Sequence, residues 1–325
     1  MSLEYRLLMK EDLPALQKLW KEEAGWGKLS EQMWQRFVVE APLGGVSGTV
    51  ATDGAGGPLV GQFAFVPSLV KVGGREYRAF RPGAPIVART QRFLSANPLA
   101  HPAVAMYMHA VKALRARGDG LLYMVPDPRW VRLFRMFPKF QAGKFPLWRL
   151  DLPLRTELPM PEGYDAAPLA VLDDERIDRL WTAWSRFHDC SVVRDSRTLP
   201  WKIGGGDYTV LGIERAGELV GLVASRKKGD RQWLVCDVLA ADDKESLRAT
   251  FVAVVRLAHE RSLAAPASQP ICKVTVLVTP VLEPTLRALG FVRDAYDFPV
   301  IIHILNSAIG KDEIAPSKWY VSAND

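Results

Sequence analysis

The chain has 325 residues, 48% hydrophobic and 24% charged, which supports a folded core and excludes a disordered chain. Its net charge of +6 is modest, and with no basic-aromatic nucleic-acid motif beside it, nucleic acid is not an expected partner. No apolar run approaches the roughly 20 residues that span a bilayer, so no membrane span is expected.

Tyr5 to Met9 reads as a strand, and Glu11-Asp12 opens a helix carrying Leu13, Leu16, Leu19 and Trp20 at helical spacing. Ser30 is an N-cap for a second helix through Met33, Trp34, Phe37 and Val38. The turn-rich stretch from Gly44 to Gly57 contains a short strand at Val50, and Pro58 to Pro67 is a stronger strand. After a Gly73-Gly74 turn, Tyr77 to Arg89 is extended, with Pro82 and Pro85 marking an edge or a bulge. Pro102 to Arg117 is a helix with Val104, Met108, Val111 and Leu114 on one face, and Gly118 ends it. A strand from Gly120 to Val125, a short helix from Pro128 to Phe137 and a strand from Phe145 to Leu152 close the module.

Pro153, Pro159 and Pro161 crowd into a linker, so the boundary falls near Thr156 and divides the chain into 1–155 and 156–325. The second half repeats the order. A strand (Tyr164–Ala170) and a helix (Asp173–His188) precede a hairpin through Arg215-Ala216-Gly217. The strand Trp233–Leu239, the long helix Glu245–Arg261, the strand Ile271–Val278, a short helix Glu283–Leu289 and a strand Asp297–Leu305 follow. The fold class expected is α/β (α+β), a mixed, mostly antiparallel twisted sheet flanked by helices, built twice.

This order resembles the GNAT acyltransferase superfamily. Leu59-Val60-Gly61-Gln62-Phe63-Ala64 and Leu219-Val220-Gly221-Leu222-Val223-Ala224 both resemble that family's central strand. Leu286-Arg287-Ala288-Leu289-Gly290-Phe291 resembles its short-helix ending. Arg194 to Lys202 is similar to a segment of tandem members found with exopolysaccharide genes. The resemblance implies two tandem domains and transfer of an acyl group from acetyl-CoA or another acyl-CoA. The acceptor would be a small-molecule amine or hydroxyl, with a sugar or cell-envelope precursor, or a Fem-type reaction, as finer expectations. In such folds a strand splays before the long helix, and the helix start receives the pyrophosphate.

Neither half carries the family's Arg/Gln-x-x-Gly-x-Gly/Ala loop there. Residues 89–102 and Ala240 to Glu245 lack glycine, and Pro98 and Pro102 remove backbone donors. The first half is the better carrier site, through Arg89, Arg92, Ala100 and His101. The other reading of His101, and the more ordinary one, is a plain capping or surface histidine. The alternative is a catalytically silent binding protein that keeps the fold.

Arg194, Arg197 and Trp201 suit an anionic or sugar substrate, or else a packed helix with snorkelling arginines. Asp237, on the apolar strand Trp233 to Val238, suits a general base or a hydrogen-bonded strand residue. The resemblance places Tyr123 in the zone where the family often keeps a general acid; its other reading is a core tyrosine with a satisfied hydroxyl. Cys236 as a nucleophile is the weaker idea, because no histidine adjoins it. Trp130, Phe134, Phe137, Phe140, Phe145 and Trp148 form a packing cluster or an acyl groove. Cys190, Cys236 and Cys272, with no CxxC, imply neither metal nor disulfide and fit a reducing cytoplasm. A homodimer is compatible with all of this.

Overall fold

A computed structural model describes residues 3–25, 27–44, 47–92, 97–134, 140–204, 207–229, 231–241 and 243–325. The first half runs β1 (Leu3–Leu7), α1 (Leu13–Glu23), α2 (Glu31–Trp34), β2 (Ser47–Asp53), β3 (Leu59–Val72) and β4 (Arg75–Val87). It continues through α3 (Pro102–Ala116), β5 (Leu121–Met124), α4 (Pro128–Phe134) and β6 (Phe140–Asp151). The second half runs β7 (Tyr164–Pro168), α5 (Glu175–Ser185), β8 (Cys190–Val192), α6 (Leu199–Ile203), β9 (Thr209–Arg215) and β10 (Glu218–Lys228). Then come β11 (Gln232–Ala240), α7 (Lys244–Ala264), β12 (Lys273–Leu277), α8 (Glu283–Ala288), β13 (Val292–Ile304) and β14 (Trp319–Tyr320).

Two compact units result, and neither is simply one half of the chain. Unit 1 is Met1–Val70, Arg75–Ala142 and Ile301–Asp312, and unit 2 is Lys71–Gly74, Gly143–Val300 and Glu313–Asp325. The strand expected to close the first half, β6, instead pairs antiparallel with β12 in unit 2, Trp148 opposite Val276. The end of β13 pairs antiparallel with β5 in unit 1, Ile302 opposite Tyr123. Backbone pairing rewards any complementary edge, so strand order in the sequence did not fix which sheet each closing strand joined.

In unit 1 the sheet runs β1-β2-β3-β4-β5 and then the end of β13. The two-residue period of a strand divides its faces. Ala51, Phe63, Phe65, Phe80, Val87, Leu122 and Met124 form one core with Met106, Tyr107 and Ala110 of α3. Val50 packs on the other face with Leu16 of α1 and Trp34 of α2, and Ile86 packs with Leu19 and Trp20. Ser30 caps α2 as expected, its Oγ accepting from the Met33 N–H at 3.1 Å. Three of the four residues expected on the α3 face, Val104, Val111 and Leu114, are buried; Met108 is exposed, and Met106, Tyr107 and Ala110 complete the buried face. β4 is also not an edge strand, since it lies between β3 and β5. Its prolines follow Phe80, the last residue paired with β5, so no ladder bond on that side is lost.

In unit 2 the sheet order is β6-β12-β11-β10-β9-β7. The hairpin expected at 215–217 joins β9 and β10, with Ala216 and Gly217 at φ of 51° and 81°. Leu247, Phe251, Val254, Val255 and Ala258 of α7 are buried, as the spacing predicts. Gly290, at φ 85°, ends α8, and the Phe291 N–H donates to Leu286 O at 3.0 Å before β13 begins.

The two matching strand motifs have one physical cause. A Cβ on Gly61 would lie 3.0 Å from Met106 Cε of α3, and one on Gly221 would lie 2.2 Å from Thr250 Oγ1 of α7. Each glycine lets the long helix sit down on its sheet. Thr250 cannot yield easily, because its hydroxyl donates to Ser246 O at 2.7 Å. Gly221→Ala should therefore destabilise the fold by about 1–3 kcal/mol through overpacking, read as a lower urea midpoint with unchanged slope.

Candidate functional site

In each unit, a strand that leads toward the long helix pairs in parallel with a neighbour and the ladder stops early. In unit 2, β11 and β12 pair only from Gln232/Lys273 to Val235/Val276, and β11 continues to Ala240. A bulge marks the departure: Ala224 faces Asp237 and Ser225 faces Val235, leaving Cys236 unopposed. In unit 1, β4 and β5 pair only at Ala79/Leu121 and Phe80/Leu122, and β4 continues to Val87. Beyond those points the strands diverge and their facing backbone groups need other partners.

Unit 2 supplies those partners itself. The Val238 N–H donates to Tyr320 Oη at 3.2 Å, and Tyr320 Oη donates to Val238 O at 2.8 Å. One phenol thus serves both backbone groups of a residue past the ladder's end. Around it lies a buried charge cluster. Arg194 Nε donates to Asp237 Oδ1 at 2.6 Å, and its other nitrogens donate to Val192 O, Ser322 Oγ and Asp325. Lys202 Nζ donates to Asp325 Oδ1 at 2.5 Å and lies 3.8 Å from Asp237 Oδ2. Burial opposes the Asp325 charge, but Arg194 and Lys202 outweigh it and hold the carboxyl well below its usual range. Burial likewise opposes the Arg194 charge, and Asp237 and Asp325 keep it ionised. The Arg194 guanidinium stacks on Tyr320 at 4.6 Å from the ring centre, and His188 stacks on the same ring at 4.8 Å.

This cluster corrects two expectations. Arg194 is 0% exposed and spends its donors on the chain's own acceptors, so it is no substrate fork. Asp237 is ion-paired and enclosed, which leaves it no room to take a proton from a substrate. Arg197 is exposed beside Asp195 at 3.5 Å, and Trp201 is half-buried on α6, so the three expected substrate residues do not converge on one open surface. Burial pushes the Cys236 thiol up to about 11, which removes the nucleophile reading. The start of α7 is closed too. Asp243 caps it, accepting from the Ser246 N–H at 2.5 Å and from Ser246 Oγ at 2.7 Å, so a carboxylate already holds the helix-start anion position. Asp242 lies outside the described residues.

In unit 1 the start of α3 is capped by His101, whose Nδ1 accepts from the Ala103 N–H at 3.2 Å. Val104 and Ala105 both donate to the His101 carbonyl, and Pro102 has no N–H. Burial, then Arg92, lowers the His101 pKa, so the ring stays neutral and keeps its accepting nitrogen. These contacts do not form the backbone cradle that a pyrophosphate needs. Arg92 is anchored to Val87 O at 2.7 Å and to Glu23 Oε2 at 2.9 Å. Arg89 reaches the same carboxylate at 3.6 Å but is 78% exposed, so it remains able to meet a phosphate. Ala100, in a short 3-10 turn, is exposed.

On the face opposite α3, a cavity of about 280 Å³ is lined by Trp20, Met33, Trp34 and Phe37 from the helical side. Gln62, Ala64 and Val66 of β3, and Arg81, Gly83 and Ala84 of β4 past the divergence, line its other side. Tyr123 is buried on β5, and its alternation with Leu122 and Met124 puts it on this same face. The expected aromatic cluster is divided. Trp130, Phe134 and Phe140 pack in unit 1, Phe145 and Trp148 belong to unit 2, and Phe137 lies outside the described residues.

No protein-family model and no curated protein sequence matches the chain. Solved structures do. A GCN5-related N-acetyltransferase from Anabaena variabilis superposes with a TM-score of 0.68 at 14% identity, covering 94% of this chain and 73% of its own. One from Kribbella flavida gives 0.64 at 13% identity over 94% and 73%. Eis1 from Mycobacterium abscessus gives 0.57 at 15% identity over 94% and 74%. The chain has the GNAT fold.

Within this GNAT fold, the sequence pointed to the divergence of strands but missed its contents. Gln62 carried a signal, a polar residue within the otherwise apolar run from Leu59 to Pro67. Lys202, Tyr320 and Asp325 carried none, because they meet Asp237 only through tertiary folding. Among the described residues, no three metal-ligating side chains gather, and no helix is long and apolar enough to cross a membrane.

Tyr320→Phe should cost about 1–3 kcal/mol by stranding the Val238 carbonyl, the Val238 N–H keeping Asp237 Oδ1 at 3.1 Å, measured by urea unfolding. Arg194→Met should cost about 3–5 kcal/mol, because it leaves buried carboxylates unpaired. His188 tests the pH response. Burial, then Arg194 and Lys71, pushes its pKa down to about 3. The unfolded chain protonates this ring near about 6.5, so unfolding takes up a proton between those values and stability falls as pH falls through that window. His188→Phe should remove this part of the slope, and its urea midpoint should drop less than the wild type's between pH 7 and 4.5.

Proposed function

We propose that the protein is an acyltransferase that works through unit 1, with unit 2 a sealed copy of the same design. One observation carries this reading: the two units share an early-ending parallel ladder, and in unit 2 the chain's own Tyr320 occupies it. In unit 1 the β4 segment past Phe80, where pairing with β5 has ended, would meet an extended thioester arm as a sheet edge meets an added strand. Acetyl-CoA or another acyl thioester supplies the acyl group. Phosphate recognition falls to Arg89, since α3 presents no free N–H among its first residues. The acceptor amine or hydroxyl enters from the cavity side. Tyr123, on that face, is proposed as the general acid that protonates the departing thiolate.

A sugar or cell-envelope acceptor draws no support from Arg194 to Lys202, which is largely a buried brace. The halves 1–155 and 156–325 remain our proposed units of duplication, with strands exchanged after it. Cys190, Cys236 and Cys272 are free thiols, which supports a reducing cytoplasm.

A second reading, a silent binding protein, is favoured by the closed start of α3. Thiol release from acetyl-CoA, followed with a disulfide dye across a panel of amines, separates the two. Turnover is expected, and Tyr123→Phe should lower kcat by about 100-fold or more with little change in KM. Tyr320→Phe should leave kcat unchanged under conditions where it is folded. Loss of turnover in Tyr320→Phe, with Tyr123→Phe unaffected, would move the reaction to unit 2 and overturn the proposal.

A further inference from the structure

The acceptor's chemistry can be read from the cavity, and this reading rests on the acyl transfer proposed above. Trp20 Nε1 lies 2.8 Å from Gln62 Oε1. An indole N–H only donates, so the atom facing it must be the amide oxygen, and the orientation of this side chain is fixed by chemistry. The Gln62 amide nitrogen, with two donors, has no partner among the described residues, although the side chain is only 4% exposed. Gln62 is on the cavity wall. A donor there, free of protein partners among the described residues and facing the cavity, can be met by a ligand oxygen in place of water.

Apart from Arg81, the other described residues of the wall are apolar. Trp20, Trp34 and Phe37 offer ring faces and edges, and no carboxylate is among the lining residues. Arg81 is the one charged side chain that lines the cavity. An alkylamine, with a pKa near about 10, would arrive as a cation. It would lose water and meet no carboxylate among the described lining residues to hold its charge or take its proton. An amine attached to an aromatic ring is already neutral, because its lone pair is shared with the ring. It needs no carboxylate to free its nucleophile, and its ring matches these walls.

We infer that unit 1 acylates a neutral aromatic amine whose ring occupies this cavity and whose oxygen substituent accepts a hydrogen bond from the Gln62 amide. The amine nitrogen attacks the thioester carbonyl. The C–N bond forms, the C–S bond breaks, and its electron pair leaves on sulfur. The proton lost by the amine balances the one gained by the thiolate, giving an amide and a free thiol.

Calorimetry on the full chain with 4-methoxyaniline, 4-methylaniline and spermidine tests this. The methoxy compound should bind about three- to tenfold tighter than the methyl compound, and spermidine should not bind. In Gln62→Leu the two anilines should bind equally. Comparing two ligands on one variant cancels any shift in Trp20. Met33→Trp, which fills the cavity from an exposed rim position, should abolish binding of both without touching Gln62. Absence of aniline binding at millimolar concentration, a methoxy preference that survives Gln62→Leu, or aniline binding undiminished by Met33→Trp would overturn the inference. Thiol release driven by spermidine and not by anilines would overturn it while leaving acyl transfer intact. Aniline binding without thiol release would overturn acyl transfer and leave the ligand class standing.

Discussion

Where two parallel strands part, each is left with N–H and C=O groups that water or protein must satisfy. That constraint organises both units. In unit 2 the groups of Val238 are met by the Tyr320 hydroxyl, and the site becomes interior. Once it is interior, every polar neighbour needs a partner, which accounts for the four charged side chains Arg194, Lys202, Asp237 and Asp325 gathered there. In unit 1 the same parting is bordered by a cavity, and the need for partners becomes an opportunity for a ligand.

The helix starts follow the same logic in electrostatic form. A helix N-terminus favours negative charge, and something must use its N–H groups. α7 uses an aspartate, and α3 uses a neutral histidine, its carbonyl and a proline that has no N–H to satisfy. Both solutions replace the glycine-rich loop, and both leave fewer donors for a phosphate. In the acyl transfer we propose, recognition of the carrier would therefore depend more on the strand edge and on Arg89 than on a helix start.

The sealed site also bears on what its buried ion pairs do for the fold. Replacing a whole buried charge group can be neutral, but removing one member is costly. With Arg194 bonded to Asp237, to Asp325 and to Ser322, the segment from Trp319 to Asp325 is held in a single register. Apolar contacts alone would allow it to slide.

Local patterning in the sequence determined most elements: the Ser30 cap, the α7 face, the 215–217 hairpin, the Leu-Gly-Phe turn after α8 and the glycine in each central strand. Those are short-range effects of period, turn chemistry and close helix approach, so neighbouring residues suffice to reveal them. Tertiary structure alone decided which sheet β6 and β13 join, that Asp237 faces an arginine 43 positions away, and that Tyr320 fills the gap in β11. Strand pairing and buried ion pairs depend on spatial complementarity between distant residues. A backbone edge or a lone charge carries no mark of its eventual partner in the linear chain.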